Sequence, residues 1–186
     1  MVKKKACVFI SGSGTNLRSI IKSSRDYNFP IKVCLVVSNN SKAKGILFAK
    51  KFSIPYICLN TNRHKFEKII FQKLIDKKID IICLAGFMKI LSKEFIRNFK
   101  GKIINIHPSL LPKYKGLNTF KRVLKFNEKF TGCTVHYVDE KLDSGKIIIK
   151  RKIPINNKDN TSTLKKKVQF EEYKAYSNAI RKIFQI

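Results

Sequence analysis

Five short, nearly all-apolar runs punctuate this chain: Ala6–Ser11, Ile31–Ser38, Pro55–Leu59, Ile79–Ala85 and Ile103–His107. The stretches between them, Asn16–Ser23, Lys42–Phe52, Arg63–Lys77 and Ser92–Phe99, carry helical spacing, as in the stripe Phe66, Ile69, Ile70 and Leu74. This alternation is the strongest constraint on the fold. Strands covered by helices on both faces lose the in-out alternation of a half-exposed sheet, so the pattern predicts βαβ units and parallel strands. After Pro108 the rhythm changes to a loop, a short helix near Leu117–Lys125, and two further runs, Thr131–Val138 and Lys146–Lys152. The turn sequence DEKLDSG makes those two an antiparallel pair. A final helix starts after Asn160 or Thr161, both good N-cap types, and runs to about Phe184. The expected class is α/β, a mostly parallel central sheet flanked by helices with an antiparallel C-terminal strand pair. With 186 residues there is room for one core, so residues 1–186 are expected to form a single domain.

Charge sets a second constraint. Forty Lys and Arg against 12 Asp and Glu leave a net charge of +28, which on its own points to a nucleic-acid or anionic-membrane binder. Residue choice argues against that reading. Only seven of the 40 are Arg, the type that bidentate phosphate and base recognition prefers, and the lysines are spread along the chain in a background rich in Ile, Asn and Phe and without Trp. Composition drift accounts for most of them, and no specific nucleic-acid partner is expected. The five cysteines form no C-x-x-C pair and no zinc spacing. Cys7, Cys34, Cys58 and Cys83 sit in apolar runs, as buried free thiols do, and Cys133 in GCTVHYV has no neighbour that would activate it. A reducing, cytoplasmic location follows, and no apolar stretch approaches the 18 or so residues of a membrane span.

Two places could carry chemistry. The first run ends in Ser11-Gly12-Ser13-Gly14-Thr15-Asn16 and leads directly into a helix, where free N–H groups and the helix dipole suit a phosphate. It is not a dinucleotide fingerprint, because Leu17 stands where the third Gly belongs and Ser38 and Asn39 stand where an acid would close the second strand. The fifth run ends in Asn105-Ile106-His107-Pro108-Ser109-Leu110-Leu111-Pro112, so Asn105 and His107, two residues apart in a strand, project together at its C-terminal end. An amide donor beside an imidazole has the parts that acyl transfer needs. A carboxylate partner is available at Asp139 or Asp143, and residue spacing leaves that choice open. His136 reads equally as structural or functional, and His64 as an exposed residue near a helix start.

The segments ISGSGTNL, LAGFMKIL, INIHPSLLPKYKG, TGCTVHYV and LDSGKIII together resemble the folate-dependent phosphoribosylglycinamide formyltransferases, in order and over essentially the whole chain. The N-x-H-P-S-L-L-P element is common to the wider folate formyltransferase superfamily; the S-G-x-G-[ST]-N start narrows it. The resemblance implies a Rossmann-like formyltransferase fold and formyl transfer from 10-formyltetrahydrofolate, as cosubstrate, to the amino group of glycinamide ribonucleotide in purine synthesis. It implies catalytic roles for Asn105 on the formyl oxygen, for a protonated His107 on the oxyanion, and for Asp143, rather than Asp139, in moving the proton. It further implies nucleotide binding by Ser13, Gly14, Thr15, Asn16, Gln169 and Glu172. Folate would be bound by Arg63, Met88, Lys89, Ile90, Leu91, Asn105, Val138 and Asp139. No metal is implied, and the partners are these small molecules, with no membrane and a monomer or homodimer as the working unit. Three positions depart from the pattern: Phe120 and Tyr173 replace histidines, and Lys158 replaces a glycine.

Methionyl-tRNA formyltransferase and formyltetrahydrofolate deformylase belong to the same superfamily but carry additional domains, for which 186 residues leave no room. A basic RNA-binding module without catalysis is the alternative from another class. It lacks clustered Arg and stacking platforms.

Overall fold

The computed structural model describes residues 2–185. Seven strands form a sheet in the order β3-β2-β1-β4-β5-β6-β7: β1 (Lys4–Ile10), β2 (Ile31–Ser38), β3 (Tyr56–Cys58), β4 (Ile81–Leu84), β5 (Lys102–His107), β6 (Phe130–Tyr137) and β7 (Ile147–Pro154). Their helices are α1 (Thr15–Ser24), α2 (Ile46–Lys51), α3 (Arg63–Asp76), α4 (Lys93–Asn98), α5 (Thr119–Lys125) and α6 (Thr161–Ile183). The chain divides into two compact units, the first ending at Ile104 and the second spanning Asn105–Gln185.

In the first unit, β1 pairs in parallel with β2 and β4, and β2 with β3, as the alternation requires. All five residues from Ala6 to Ile10 are fully buried, which explains why this run shows no polar alternation. Phe9 lies at the centre of an aromatic cluster, with ring centroids 5.3 Å from Phe87, 6.3 Å from Phe66 and 6.5 Å from Phe95. The edge-to-face geometry of all three pairs is the one ring quadrupoles favour. Side chains cap the later helices: Asn62 Oδ1 accepts from the Lys65 N–H at 2.9 Å to start α3, and Ser92 Oγ accepts from the Phe95 N–H at 3.1 Å to start α4. Several elements are shorter than their sequence patterns, α2, β3 and β4 most clearly. α2 begins at Ile46 rather than Lys42 because a turn occupies the intervening residues, closed by the Ala43 N–H on the Asn40 carbonyl at 3.2 Å. β3 is a three-residue edge strand, entered through Pro55, and β4 starts two residues late because Asp80 turns aside to accept from the Lys5 N–H at 2.7 Å.

In the second unit, β6 and β7 form the expected antiparallel pair, from Phe130 opposite Pro154 to His136 opposite Ile147, with a register shift between Val135 and His136. β7 continues to Pro154, two residues beyond its sequence pattern. Asn160 is the N-cap of α6, in a capping box with Thr163. The buried stripe of α6, Leu164, Val168, Glu172, Ala175, Tyr176, Ala179 and Ile180, packs against β6 and β7. All five cysteines are free. Cys7, Cys83 and Cys133 are buried, whereas Cys34 and Cys58 are only half-buried because they lie on the partly open side of β2 and on the edge strand. Among the described residues no helix is long and apolar enough to cross a membrane.

Candidate active site

β5 delivers Asn105 and His107 to its C-terminal end, and the turn between β6 and β7 delivers Asp143. His107 Nδ1 lies 3.3 Å from Asp143 Oδ2, with both side chains 7% exposed. The other ring nitrogen, Nε2, is 2.8 Å from the Tyr114 carbonyl, and Asp143 Oδ2 also accepts from the Gly116 N–H at 2.9 Å. Each ring nitrogen of His107 therefore faces an acceptor. Only a doubly protonated ring donates to both, so the contacts favour the imidazolium that the resemblance implies. Burial works in the other direction: it pushes His107 below the usual imidazole range, and the Tyr114 carbonyl and the Asp143 charge offset that only in part. For Asp143, burial raises the carboxyl, but the neighbouring His136 ring, the hydrogen bond from the Gly116 N–H and the charge of His107 hold it below the usual carboxylate range.

The structure adds a fourth member. His136 on β6 donates from Nδ1 to the Tyr137 carbonyl at 2.8 Å, which turns Nε2 toward the Asn105 amide nitrogen at 3.3 Å and Asp143 Oδ1 at 3.6 Å. It joins the amide of β5 to the carboxylate of the turn. The sequence alone does not decide this residue; its one signal is the spacing from Thr134, two residues earlier on the same strand face. Thr134 Oγ1 donates to the Ser109 carbonyl at 2.7 Å and accepts from the Leu111 N–H at 3.1 Å, so this face of β6 holds the segment that follows β5. The two candidate acids are placed differently in space. Asp139 is exposed and accepts from the Lys141 N–H at 2.9 Å as an ordinary turn residue, whereas Asp143 is buried. Gly145 lets that turn fold back, since a Cβ there would lie 1.9 Å from the Tyr137 carbonyl oxygen. Cys133 is fully buried, and desolvation pushes its thiol up to about 12, which leaves no thiolate for nucleophilic chemistry.

In the first unit, the loop after β1 turns through Gly14 at φ 72°, the N-cap of α1. Gly14 packs directly on Gly45: a Cβ on Gly14 would lie 2.4 Å from the Gly45 Cα. Gly45 in turn donates its N–H to the Gly12 carbonyl at 3.0 Å. Ser13 is exposed, Thr15 half-buried and Asn16 buried. Ser11 at the head of the loop donates to Asn39 Oδ1 at 2.5 Å and accepts from the Met88 N–H at 2.8 Å, tying the loop to the end of β2 and to the segment after β4. That segment exposes Met88 and Ile90, at 66% and 63%, while Leu91 turns into the core. Lys89 Nζ donates to the Thr61 carbonyl at 3.1 Å, and buried Glu67 accepts from the Ser92 N–H at 2.7 Å and from Ser92 Oγ at 2.5 Å. Arg63 and His64 are exposed in the first turn of α3. In the second unit, Val138 is half-buried just past β6, Gln169 is half-buried on α6, and Glu172 lies on its buried stripe.

A buried His–Asp pair with an amide donor beside it, at the end of a strand, is the equipment of an acyl-group transferase. The sequence profile of the formyl transferase family matches residues 4–180, and the chain belongs to that family. It is 40% identical over 182 residues to the phosphoribosylglycinamide formyltransferase of Haemophilus influenzae, covering 96% of this chain and 86% of that one. It is also 40% identical over 183 residues to the trifunctional purine biosynthetic protein adenosine-3 of Bos taurus, of whose length it spans 18%. Among solved structures, the phosphoribosylglycinamide formyltransferase of Anaplasma phagocytophilum superposes with a TM-score of 0.93 at 36% identity, covering 99% of this chain and 88% of that one.

Proposed function

We propose that this chain, working as one formyltransferase domain, transfers the formyl group of 10-formyltetrahydrofolate to the amino group of glycinamide ribonucleotide in de novo purine synthesis. The products are the N-formyl ribonucleotide and tetrahydrofolate. The observation that carries the reading is the His107–Asp143 contact at 3.3 Å with Asn105 linked to it through His136. The Asn105 amide has two N–H donors, of which His136 Nε2 occupies one, leaving the second for the formyl oxygen. As the substrate amine attacks the formyl carbon, charge builds on that oxygen, and the Asn105 donor and the His107 cation stabilise it. Asp143 keeps His107 oriented, takes a proton from the attacking nitrogen, and passes it to the folate nitrogen as the carbon–nitrogen bond to folate breaks.

Ser13, Gly14, Thr15 and Asn16 would hold the ribose phosphate, with Gln169 and Glu172 on the nucleotide. Arg63, Met88, Lys89, Ile90, Leu91, Val138 and Asp139 would line the folate site, and exposed Met88 and Ile90 offer it apolar surface. No metal enters these steps. Both ligands are anionic, so the positive field of the chain favours their capture. The test is spectrophotometric release of tetrahydrofolate with and without glycinamide ribonucleotide. Release that requires the ribonucleotide supports the proposal; release without it indicates a hydrolase, and no release a binding protein.

A further inference from the structure

The turn Tyr114–Gly116 supplies one backbone partner to each member of the His107–Asp143 pair, the Tyr114 carbonyl to His107 at 2.8 Å and the Gly116 N–H to Asp143 at 2.9 Å. Its backbone is strained at Tyr114, with φ of 57°, and again at Asn118 with 57°, whereas Gly116 between them takes 76° as glycine freely does. A conformation that L side chains rarely adopt persists only where neighbours hold it. We propose that Arg122 is a positioning residue for the catalytic pair, holding the Tyr114–Gly116 turn in the one conformation that presents both backbone partners.

Arg122 sits on α5 and meets the turn twice. Nη1 donates to the Lys115 carbonyl at 2.6 Å, between the two partner groups, and the guanidinium carbon lies 5.3 Å from the centroid of the Tyr114 ring. A flat cation that also carries directed N–H donors does both at once; a lysine ammonium has neither the plane nor the fork. In a chain where seven of 40 basic residues are Arg, this position has one. The turn is held from the other side by Glu128, which accepts at 2.8 Å from the Tyr114 hydroxyl and from Lys113 Nζ. Lys115 Nζ donates to Ser144 Oγ, next to Asp143, so the turn and the carboxylate are tied together a second time. The inference rests on His107 and Asp143 being the catalytic pair.

The experiment compares the wild type, Asp143→Asn, Arg122→Gln and Glu128→Gln by steady-state kinetics with both substrates and by NMR titration of His107. Displacing aligned groups by about 1 Å can cost as much as about a hundredfold in rate, so Arg122→Gln is expected to lower kcat between about tenfold and a hundredfold, with both KM values within about twofold. The titration separates positioning from charge. The charged and titratable groups facing His107 are Asp143, His136 and Arg122, and Arg122 acting by charge alone lowers its proton affinity. Removing that charge without moving the turn would raise the His107 pKa. Burial lowers the His107 pKa and the Tyr114 carbonyl raises it, so a turn that shifts away from a ring still buried on β5 lowers the pKa. A fall in kcat together with a downward titration supports the proposal; an unchanged kcat or an upward titration overturns it. Should Arg122→Gln fail to fold, Glu128→Gln decides by the same two readouts. An inactive wild type, or a fully active Asp143→Asn, strikes the reading of the pair itself.

Discussion

His107 Nδ1 and Asp143 Oδ2, 36 residues apart along the chain, stand 3.3 Å apart in the folded protein, both side chains 7% exposed. Neither element makes the pair alone: β5 sets the imidazole, and the β6–β7 turn, with Asp143 at φ 47°, carries the carboxylate to it.

Replacing either member of the pair is expected to remove most formyl transfer, by about 10²- to 10⁴-fold, the usual range for a positioned proton-transfer group. The variants are His107→Ala and Asp143→Asn. Circular dichroism should show both folded, since the strand hydrogen bonds of β5 and β6 do not involve these side chains. Asp143→Asn also has a signed effect on titration. The carboxylate raises the His107 pKa, so its loss should move an imidazole already below the usual range further down. For stability the sign is that of a depressed carboxyl: the contribution of Asp143 is complete above about pH 4 and is lost as pH falls through its folded value, so the variant should lose less stability on acidification than the wild type. Full activity in either variant would remove the assigned roles.

Gly14→Val is expected to weaken nucleotide binding, but through the fold as well as the ligand. A side chain at φ 72°, with its Cβ 2.4 Å from the Gly45 Cα, must push the β1–α1 loop away from the start of α2. The loss of stability should be about 1–3 kcal/mol or more, read as an earlier urea midpoint. Gly12→Ala is the cleaner probe of the phosphate role, because a Cβ there meets nothing within 4 Å. An unchanged ribonucleotide Kd in Gly12→Ala and Ser13→Ala together would argue against phosphate binding by this loop.

Glu67 anchors the segment proposed to line the folate site, by accepting two hydrogen bonds from Ser92, the N-cap of α4. Glu67→Leu leaves those donors without their acceptor, at a cost of about 1–3 kcal/mol. Because Ser92 closes the stretch that starts at Met88, the KM for 10-formyltetrahydrofolate should rise while kcat stays within about twofold. Glu67→Gln retains an acceptor oxygen and should recover most of the loss. Equal rises in both substrates' KM values would show a general loosening instead.

Much of this protein is legible in its sequence. The alternation of buried runs and helical stretches foretells a parallel sheet because burial on both faces demands continuous apolar strands, and the Asn160 cap and the β6–β7 pairing rest on equally local chemistry. Asn105 and His107 stand out because strand geometry alone places residues two apart on one side. Pairing across the sheet and close backbone approach lie beyond that reach. Whether Asp139 or Asp143 meets the imidazole depends on a turn that buries one and leaves the other in solvent, and His136 acquires its place only when β6 sets it between Asn105 and Asp143. Gly14 is legible as a turn residue, but its contact with Gly45, 31 positions away, is not. Local propensity and periodicity are properties of neighbours in the chain, and they determined the elements and their order. The geometry that joins Asn105, His107, His136 and Asp143 is a property of neighbours in space, which only the folded arrangement of strand ends and turns decided.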